Sequence, residues 1–306
     1  MKVLNFGSLN LDYVYGVKHI VKPGETQDTL DRNIFCGGKG LNQAIALARG
    51  GVEVHHAGMV GEGGEILVDM CEKSGVHTHY IWKIPGPSGH TIIQVDEKGQ
   101  NCILLYGGAN RKFTKNYIDE VLADFGSEDL VLLQNEINMT DYIIEAAHEK
   151  GMKVILNPSP YNQEMEKCDL SKVSLFLLNE IEGAQITGKE NVDDILKRLR
   201  EMFPNAEVVL TLGKDGCIYQ DATRQFYQEI FRVPTIDTTA AGDTFTGYFI
   251  AAMMTGIDVR EGLIIASKAS AIAVTREGAA PSIPTKQEVT ETELDLDISE
   301  IRQGTV

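Results

Sequence analysis

Long apolar runs are missing from the 306-residue sequence, and we expect neither a membrane anchor nor a signal peptide in it. No stretch approaches the roughly eighteen consecutive apolar residues that a transmembrane helix requires, so we expect no membrane span. The opening residues, MKVLNFGSLN, reach a glycine and an asparagine too early for the apolar core of a signal peptide. We therefore expect a cytoplasmic protein.

Cysteine is scarce, and its spacing follows no known framework. The five cysteines are widely separated and form no Cys-x-x-Cys pair: Cys36, Cys71, Cys102, Cys168 and Cys217. An odd and scattered set argues against a disulfide framework and against a cysteine-based zinc site. The pattern is typical of reduced thiols in the cytosol.

Positive charge is also in short supply. The chain carries 28 Lys and Arg against 44 Asp and Glu, which gives a net charge of −16. A surface this acidic has no general attraction for a nucleic-acid backbone or an anionic membrane, so we expect neither as a partner. A phosphorylated ligand would need local positive potential from backbone amides, helix ends or metal ions.

Short apolar runs, each followed by a helical pattern, recur along the chain. The runs cover residues 3–6, 52–59, 130–133, 154–156, 175–178 and 208–210, and the helical patterns cover 41–49, 65–73, 141–150 and 192–202. Buried strands alternating with helices indicate an α/β fold, with a mostly parallel sheet and helices on both faces. No linker or composition shift divides the chain, so we predict one domain over residues 1–306.

Two segments, 13–36 and 90–106, interrupt this alternation because they read as hairpin strands without helices between them. In the second segment, Glu97–Gln100 is the predicted turn. These strands are expected to form a small separate sheet, serving as a lid or as a surface that pairs with another subunit.

The strongest motif is DTTAAGDTFTG at 237–247, which lies between a strand-like run, Glu229–Ile236, and an apolar helix, Phe245–Met254. Its small residues let the backbone turn tightly, with free N–H groups at the start of the helix. Such an end binds anions, and a carboxylate in its first turn, Asp243, suits a general base beside a phosphate. The alternative is that Asp243 merely caps the helix.

A second motif, CGGKGLNQ at 36–43, leads into the helix near Leu41. Its glycines permit close backbone approach, and Lys39 and Asn42 can donate hydrogen bonds to hydroxyls or phosphates. It is not a P-loop, since GxxxxGK[ST] occurs nowhere in the sequence. An ordinary turn from loop to helix remains the alternative.

Weaker signals lie at the ends of three other predicted strands. LTLGKDG at 210–216 is either a strand passing under a nucleotide or an ordinary hairpin. Asn179 and Glu182 share one helical face and suit a hydrated magnesium ion. Asn10 and Asp12 follow the first strand, where open α/β sheets bind ligands. A metal pair of His77 and His79 on one strand face lacks a third ligand.

Taken together, these motifs resemble the ribokinase family of sugar kinases, also called the phosphofructokinase-B type. GGKGLNQ and DTTAAGDTFTG resemble its two signatures, and the likeness runs from the first strand to about Pro284 through GSLNLD, PGE (23–25), GGAN (107–110), NPSP (157–160) and TREGAAPSIP (275–284). The resemblance implies a three-layer sandwich with a small β-sheet lid. It also implies ATP-dependent phosphorylation of a pentose at its primary hydroxyl, above all O5 of D-ribose.

The resemblance assigns roles residue by residue. Asp243 would be the base, and the anion hole would consist of the amides of Ala240, Ala241, Gly242 and Asp243. The sugar contacts would be Asn10, Asp12, Gly38, Lys39, Asn42 and Glu136. The nucleotide would be bound by Asn179, Thr211, Leu212, Gly213, Lys214, Asp215 and Gly216, together with Gly242 and Asp243.

Two ions are implied by the same resemblance. Mg²⁺ would be held through water by Glu182. A monovalent cation, usually K⁺, would be held by oxygens of Asp237, Thr239, Ala273, Arg276, Gly278 and Ser282. The lid, 13–36 and 90–106, would close over the sugar and pair two chains into a homodimer.

Alternatives to this interpretation remain open. The acceptor is D-ribose, 2-deoxyribose, a fructose-type sugar or a nucleoside, because a hydroxyl-reading pocket changes with one or two residues. A catalytically silent regulator that binds sugar or nucleotide on the same fold is the alternative from a different class.

Overall fold

The structure is a computed structural model that describes residues 1–294, and residues 295–306 of the predicted domain lie outside the described part. Its strands, in chain order, are β1 (Val3–Phe6), β2 (Asn10–Val17), β3 (Asp31–Gly37), β4 (Val54–Glu62), β5 (Ile81–Pro87), β6 (Gly89–Asp96), β7 (Asn101–Tyr106), β8 (Leu130–Gln134), β9 (Lys153–Asn157), β10 (Leu175–Asn179), β11 (Glu207–Thr211), β12 (Cys217–Gln220) and β13 (Gln225–Gln228).

Each of the four predicted amphipathic patterns corresponds to a helix, and two of these patterns, residues 65–73 and 192–202, are matched at both ends. The helices are α1 (Lys39–Arg49), α2 (Glu65–Lys73), α3 (Lys115–Ala123), α4 (Thr140–Glu149), α5 (Glu180–Thr187), α6 (Val192–Met202), α7 (Ala241–Met254), α8 (Val259–Ala273) and α9 (Lys286–Glu291). Within residues 1–294 no helix is long and apolar enough to cross a membrane.

A nine-stranded sheet in the order β13-β12-β11-β10-β9-β8-β1-β4-β5 forms the centre of the molecule. Pairing is parallel from β5 across to β11, and β12 and β13 add an antiparallel hairpin at one edge. The inner strands are apolar along their whole length because both of their faces are covered. The predicted mostly parallel sheet is confirmed.

Two apolar layers cover the two faces of this sheet. Val3 packs in one cluster with residues of α1, α2, α7 and α8, whereas the next residue, Leu4, packs in the other with residues of α3, α4 and α6. Successive residues of a strand point to opposite faces, so this alternation places helices on both sides. The predicted three-layer arrangement is therefore confirmed.

A separate four-stranded sheet, in the order β3-β2-β6-β7, forms from the two segments that interrupt the alternation. The predicted turn at 97–100 connects β6 and β7, and every residue of β7 is exposed. Strand β2 begins at Asn10, so Asn10 and Asp12 lie at the start of this small sheet. The sequence had suggested the end of the first central strand for both.

The predicted strand Glu229–Ile236 is wrong. The chain leaves β13 at Gln228, and residues 229–236 are irregular except for an isolated bridge at Phe231. Pro234 lacks an N–H donor and restricts the residue before it, which disfavours a ladder at this point despite the apolar side chains. The helix that follows begins at Ala241, four residues before the predicted Phe245.

Candidate active site

Several strands of the central sheet end around one cavity of about 250 Å³, and the starts of neighbouring helices also line it. The cavity lies at the carboxyl ends of the parallel strands, where loops of open α/β sheets bind ligands. It brings together residues that the sequence analysis had singled out from four separate motifs, and its lining includes Lys39, Asn179, Glu182, Thr211, Ala240, Ala241, Gly242 and Asp243.

The start of α7 presents backbone amides to this cavity. Ala240 is the residue before the helix and has a left-handed conformation, with φ of 59°. The first bond of the helix runs from Thr244 N to Ala240 O at 2.8 Å, so the amides of Gly242 and Asp243 precede the helical ladder. The Ala241 amide instead donates to Thr238 O at 3.2 Å. The four predicted anion-hole amides are therefore not equivalent.

The Asp243 carboxylate is held from outside its own helix. It is 7% exposed, and it accepts one hydrogen bond from Asn42 Nδ2 at 3.0 Å and another from Gln43 Nε2 at 2.8 Å, both on α1. No side chain of α7 caps its own first turn, and Ala240 occupies the capping position. The alternative that Asp243 serves as a helix cap is therefore wrong.

Lys39 supplies the local positive charge that an acidic protein needs in order to bind an anion. Burial opposes its charge, but the negative charges of Asp243, Glu136 and Glu182 outweigh that effect and raise the pKa of Lys39. The ammonium therefore stays protonated while it lines the cavity. Its backbone N–H donates to Glu136 Oε2 at 2.9 Å, which ties the start of α1 to the loop after β8.

Two carboxylates, Asp12 and Glu136, lie toward the small sheet. Glu136 Oε2 also accepts a 2.5 Å bond from Ser8 Oγ, and Asp12 Oδ1 accepts a 2.5 Å bond from Thr91 Oγ1. Burial raises the pKa of Asp12 to about 6, opposed by the Thr91 hydrogen bond and assisted by the charge of Glu136. The Asp12 carboxylate therefore has fewer donors than its burial requires.

Asn10 is anchored by a residue to which sequence reasoning gave no role. Asn110, in the GGAN motif, donates from Nδ2 to Asn10 Oδ1 at 2.7 Å, and its Oδ1 accepts from the Leu9 amide at 3.0 Å. The signal that pointed to this residue was the motif itself. The contact joins positions about 100 residues apart, which no local pattern reveals.

The glycines of GGKG allow α1 to start against the end of β1. Gly38 precedes the helix with φ of 95°. A side chain on Gly40 would place its Cβ 2.3 Å from the Ser8 amide nitrogen and 2.5 Å from Gly7 Cα. Only glycine permits this approach, which brings Lys39, Asn42 and Gln43 to the carboxyl end of the central sheet.

Asn179 and Glu182 form a capping box at the start of α5. Asn179 Oδ1 accepts from the Glu182 amide at 2.9 Å, and Glu182 Oε2 accepts from the Asn179 amide at 3.0 Å. The predicted shared face exists, and part of each side chain serves the helix. Asn157, which the sequence analysis did not assign, lines the same cavity, and its buried Oδ1 has no partner within residues 1–294. These oxygens suit a hydrated Mg²⁺.

The segment 211–216 joins two strands of a hairpin at the edge of the cavity. β11 and β12 pair antiparallel, joined by a short 3₁₀ turn, Gly213–Asp215. Thr211 lines the cavity, whereas residues 213–215 are exposed beside it and are not part of its described lining. A nucleotide would contact Leu212, Gly213, Lys214, Asp215 and Gly216 only by extending from the cavity along this turn.

The predicted monovalent-cation residues lie on two adjoining loops. Asp237 Oδ1 accepts from the amide and the hydroxyl of Thr239, at 2.9 and 2.6 Å, and Asp237 Oδ2 accepts from the Gly278 amide at 3.0 Å. The amide of Asp237 donates to Val274 O, beside Ala273, and Ser282 is fully buried in the second loop. Carboxylate, hydroxyl and carbonyl oxygens suit a hard cation.

Arg276, in the same set, directs its side chain away from these oxygens. Its guanidinium pairs with Glu288 on α9, with Nη2 and Oε1 2.6 Å apart. Only its backbone carbonyl therefore suits the role that the resemblance implies.

The pairing of His77 with His79 is wrong, because His79 lies in a turn after the bridge at His77. His77 instead stacks on His55, with ring centroids 4.5 Å apart and planes 15° apart, and Glu53 Oε1 lies 2.9 Å from His55 Nε2. A metal ion lies in the plane of each imidazole that binds it, and two stacked, nearly parallel rings share no such point. We assign no ion to this cluster.

Comparison with known proteins gives a consistent result. Residues 1–286 match the family described as pfkB family carbohydrate kinase. The ribokinase of Haemophilus influenzae is 33% identical over 294 residues, 93% of this chain and 96% of that protein. The deoxyribokinase of Salmonella typhi is 30% identical over 302 residues, 95% and 98% of the two chains. The structure of Arabidopsis thaliana ribokinase complexed with ribose and ATP matches with a TM-score of 0.84 at 28% identity, over 94% of this chain and 97% of that one.

Proposed function

The chain belongs to the pfkB family of carbohydrate kinases, and from that premise we propose that it phosphorylates D-ribose at O5, forming D-ribose 5-phosphate and ADP. The ribokinase-like fold and the ATP-dependent sugar kinase activity predicted from the sequence are confirmed. The acceptor, the base, the ions and the assembly are our proposals. The observation that carries the proposed phosphoryl transfer is the Asp243 carboxylate, which Asn42 and Gln43 of α1 hold at a cavity lined by the first residues of α7.

Asp243 acts as the general base. Its carboxylate takes the proton of the O5 hydroxyl while that oxygen attacks the γ-phosphorus of ATP. The bond between the γ-phosphorus and the bridging oxygen breaks at the same time, and ADP leaves with the electron pair of that bond. Asn42 and Gln43 orient the carboxylate, so that it is held in place before the sugar arrives.

The start of α7 stabilises the phosphoryl group during transfer. The amides of Ala240, Gly242 and Asp243, with the positive end of the helix dipole, donate to its equatorial oxygens. The Ala241 amide is less available to the phosphoryl group, because it already donates a hydrogen bond to Thr238 O. Lys39 adds a full positive charge at the same cavity.

The acceptor binds between α1 and the small sheet. Asp12 and Glu136 accept hydrogen bonds from sugar hydroxyls, and a polyhydroxylated pentose has enough of them to occupy both carboxylates. Asn10, Gly38, Lys39 and Asn42 complete the contacts. The relatives that support this acceptor are the ribokinases, one of which was solved with ribose and ATP.

ATP binds from Asn179 along Thr211 and the turn formed by Leu212, Gly213, Lys214, Asp215 and Gly216. Glu182 and Asn157 would hold a hydrated Mg²⁺, which when bound would neutralise phosphate charge. Asp237, Thr239, Ser282 and the carbonyls of Ala273, Arg276 and Gly278 would hold K⁺, beside the loop that leads into the anion hole. These residues suit K⁺ because all of their donor atoms are oxygens and because a hydrogen bond joins the two loops that carry them.

Turnover assays test the acceptor directly. ADP release from MgATP is measured with D-ribose, 2-deoxyribose, fructose and nucleosides, with K⁺ present or replaced by a large inert cation. We expect ribose-dependent turnover that K⁺ stimulates. Stronger turnover with 2-deoxyribose would move the assignment toward the Salmonella relative, and ATP binding without turnover on any acceptor would favour a silent regulator.

We also propose a cytoplasmic homodimer that forms through the small sheet. Ile34, Ile92 and Leu104 are exposed and lie in one row across β3, β6 and β7, with Leu104 at 64% exposure. A row of exposed apolar side chains on a sheet is typical of a protein contact. A second copy of the chain is the proposed occupant because the resemblance to the family implies such pairing.

Sedimentation of Leu104→Glu tests the assembly. We expect the wild type to sediment as a dimer and the variant as a monomer, because a buried unpaired charge is costly. Ile181→Glu is the matched control, since Ile181 is 65% exposed but lies on α5, outside the small sheet. A monomeric wild type, or a dimeric Leu104→Glu, would contradict this interface.

A further inference from the structure

A row of buried polar side chains continues behind the Asp243 carboxylate, on the side away from the cavity. We call it the polar row, and its members in order are Gln43, Gln134, Asn5 and His56. Each is at most 1% exposed. Gln43 Nε2 donates to Asp243 Oδ1 at 2.8 Å, and Gln134 Nε2 donates to Gln43 Oε1 at 2.7 Å. Gln134 Nε2 also donates to Asn5 Oδ1 at 2.9 Å, and Asn5 Nδ2 lies 2.9 Å from His56 Nδ1.

The row crosses the most apolar part of the molecule. Asn5 lies on β1, directly opposite His56 on β4, and Gln134 ends β8 on the other side of β1. Buried amides contribute little net stability even when paired, and each one left unpaired costs about 1–3 kcal/mol. Apolar side chains would cover the sheet without that risk, so packing alone does not account for four polar residues in a connected line.

Each member of the row determines the orientation of the next. Burial lowers the pKa of His56 to about 4, so its imidazole is neutral. Because Asn5 Nδ2 is a donor, the tautomer that fits the 2.9 Å contact has Nδ1 as the acceptor. Asn5 Nδ2 also donates to Gly40 O at 2.8 Å, which turns Asn5 Oδ1 toward Gln134. Gln134 uses its NH₂ group for two acceptors, the oxygens of Asn5 and Gln43. Gln43 is thereby left with only its NH₂ group to present to Asp243.

We propose that Gln43, oriented through Gln134, Asn5 and His56, is a positioning residue that keeps the Asp243 carboxylate aimed at the acceptor hydroxyl. This inference rests on the proposed role of Asp243 as the base. An NH₂ donor stabilises the charged carboxylate and favours one rotamer of it. A reversed Gln43 amide would put its oxygen against the carboxylate, and the chain of donors from His56 excludes that state.

The other charged groups at Asp243 come from neighbouring elements. Lys39 on α1 faces Asp243, and its charge is shared with Glu136 after β8 and Glu182 on α5. Those groups stay unchanged when Gln43 is replaced. A change in the titration of Asp243 in a Gln43 variant therefore reports the lost amide.

Kinetics of Gln43→Leu test the proposal, because leucine keeps the volume and removes the donor. We expect kcat at pH 7 to fall about 10–100-fold, with the KM values of sugar and ATP changed less than about twofold. The acid limb of the kcat profile is expected to move upward, because the charged carboxylate loses a hydrogen-bond donor. Gln134→Leu, which frees Gln43 to reverse, should shift the limb in the same direction by less, and it covers the case in which Gln43→Leu does not fold.

Asn138→Leu is the matched control. Asn138 is a half-buried amide whose bonds go to the backbone of Phe113 at 3.0 and 2.9 Å, and it does not touch Asp243. We expect this variant to lose stability without moving the acid limb. An equal fall in kcat in Asn138→Leu and Gln43→Leu, with the limb unmoved in both, would overturn the proposal.

A second readout needs no turnover. The carboxyl carbon of Asp243 is followed by ¹³C NMR against pH without substrates, and its signal is assigned by its loss in Asp243→Asn. We expect its titration midpoint at higher pH in Gln43→Leu than in the wild type. An unmoved midpoint overturns the proposal even for an active kinase. A moved midpoint in a protein that phosphorylates no acceptor overturns the proposed function alone.

Discussion

Two carboxylates to which we give roles in the proposed reaction, the buried Asp243 and the half-buried Asp12, lie in regions built very differently. Asp243 lies at the start of α7, between two amides of α1 that each donate to one of its oxygens. Asp12 lies on β2 of the small sheet. The hydroxyl of Thr91 donates a hydrogen bond to its carboxylate, and burial raises the pKa of Asp12 to about 6. The central region satisfies its charge with dipoles of the protein. The small sheet supplies fewer donors to its carboxylate, which agrees with the proposed sugar contact at Asp12.

The difference follows from how each region is covered. The strands under Asp243 have helices packed on both faces, so the amides that orient it are fixed by the core. The small sheet is open, and all of β7 is exposed. A group that takes part in chemistry benefits from surroundings arranged in advance, whereas a group that recognises a hydroxyl can wait for that hydroxyl.

The largest expected effect tests the catalytic half of the comparison. Asp243→Asn removes the base and should lower kcat about 10²–10⁴-fold, because no other carboxylate takes its place between Asn42 and Gln43. Steady-state ADP release measures the loss, with far-UV circular dichroism and ATP binding as controls for the fold. Turnover close to the wild-type value would remove Asp243 from the role of base.

The second prediction concerns recognition by Asp12. If Asp12 accepts sugar hydroxyls as proposed, the ionised carboxylate is the better acceptor, so the sugar KM should rise as pH falls below about 6, by up to about tenfold per pH unit. The ATP KM should change little over the same range, and Asp12→Asn should weaken sugar binding without this pH dependence. A sugar KM that stays constant in the wild type from pH 7.5 to 5 would contradict the assignment.

The third prediction compares the stabilities of the two regions. Because folding raises the pKa of Asp12 from its ordinary 3.8 to about 6, the folded state binds the extra proton between these values, and stability falls as pH rises through that window. Without sugar, Asp12→Asn should raise the free energy of unfolding by about 1–3 kcal/mol at pH 7.5 and leave it unchanged near pH 4. Urea unfolding at both pH values measures this.

Asp243→Asn should have the opposite sign. It places an NH₂ group against the donors of Asn42 and Gln43, or leaves one of them unpaired, at a cost of about 1–3 kcal/mol. If both variants stabilise the protein, the contrast drawn between the two carboxylates fails.

The smallest expected effect concerns Asn179, which caps α5 and which we propose also contacts ATP. Asn179→Ala removes an N-cap and should cost about 1 kcal/mol of stability. Asn191→Ala removes an N-cap of the same kind on α6, away from the cavity, and should cost about the same. Only Asn179→Ala should also raise the ATP KM. Equal ATP KM values for the two variants would reduce Asn179 to a structural role.

Much of the architecture could be predicted from local patterns. Apolar runs flanked by turn residues correspond to central strands, since a strand buried on both faces needs apolar side chains throughout. Residues 229–236 do not form the predicted strand, because Pro234 disfavours strand pairing there despite the apolar side chains. Small residues before Asp243 signalled the amide end of α7, because that chemistry is local.

The remaining parts of the site depend on contacts between distant positions. Gln43 and Asp243 are 200 residues apart in sequence, and neither motif indicates that the two side chains bond. The sequence assigned no role to Asn157, and only the structure shows that it lines the same cavity as Glu182. His77 was paired with the wrong histidine, because its true neighbour, His55, lies on another strand.

The close approach of Gly40 to Gly7 and Ser8 has a mechanical consequence. No side chain separates the start of α1 from the end of β1, so the helix cannot slide along the strand without a collision of the two backbones. Lys39, Asn42 and Gln43 therefore share the stiffness of the central sheet, and they move with β1 as one body. Under the proposed function, closure around a sugar would therefore fall to the small sheet, because the start of α1 is fixed against the end of β1.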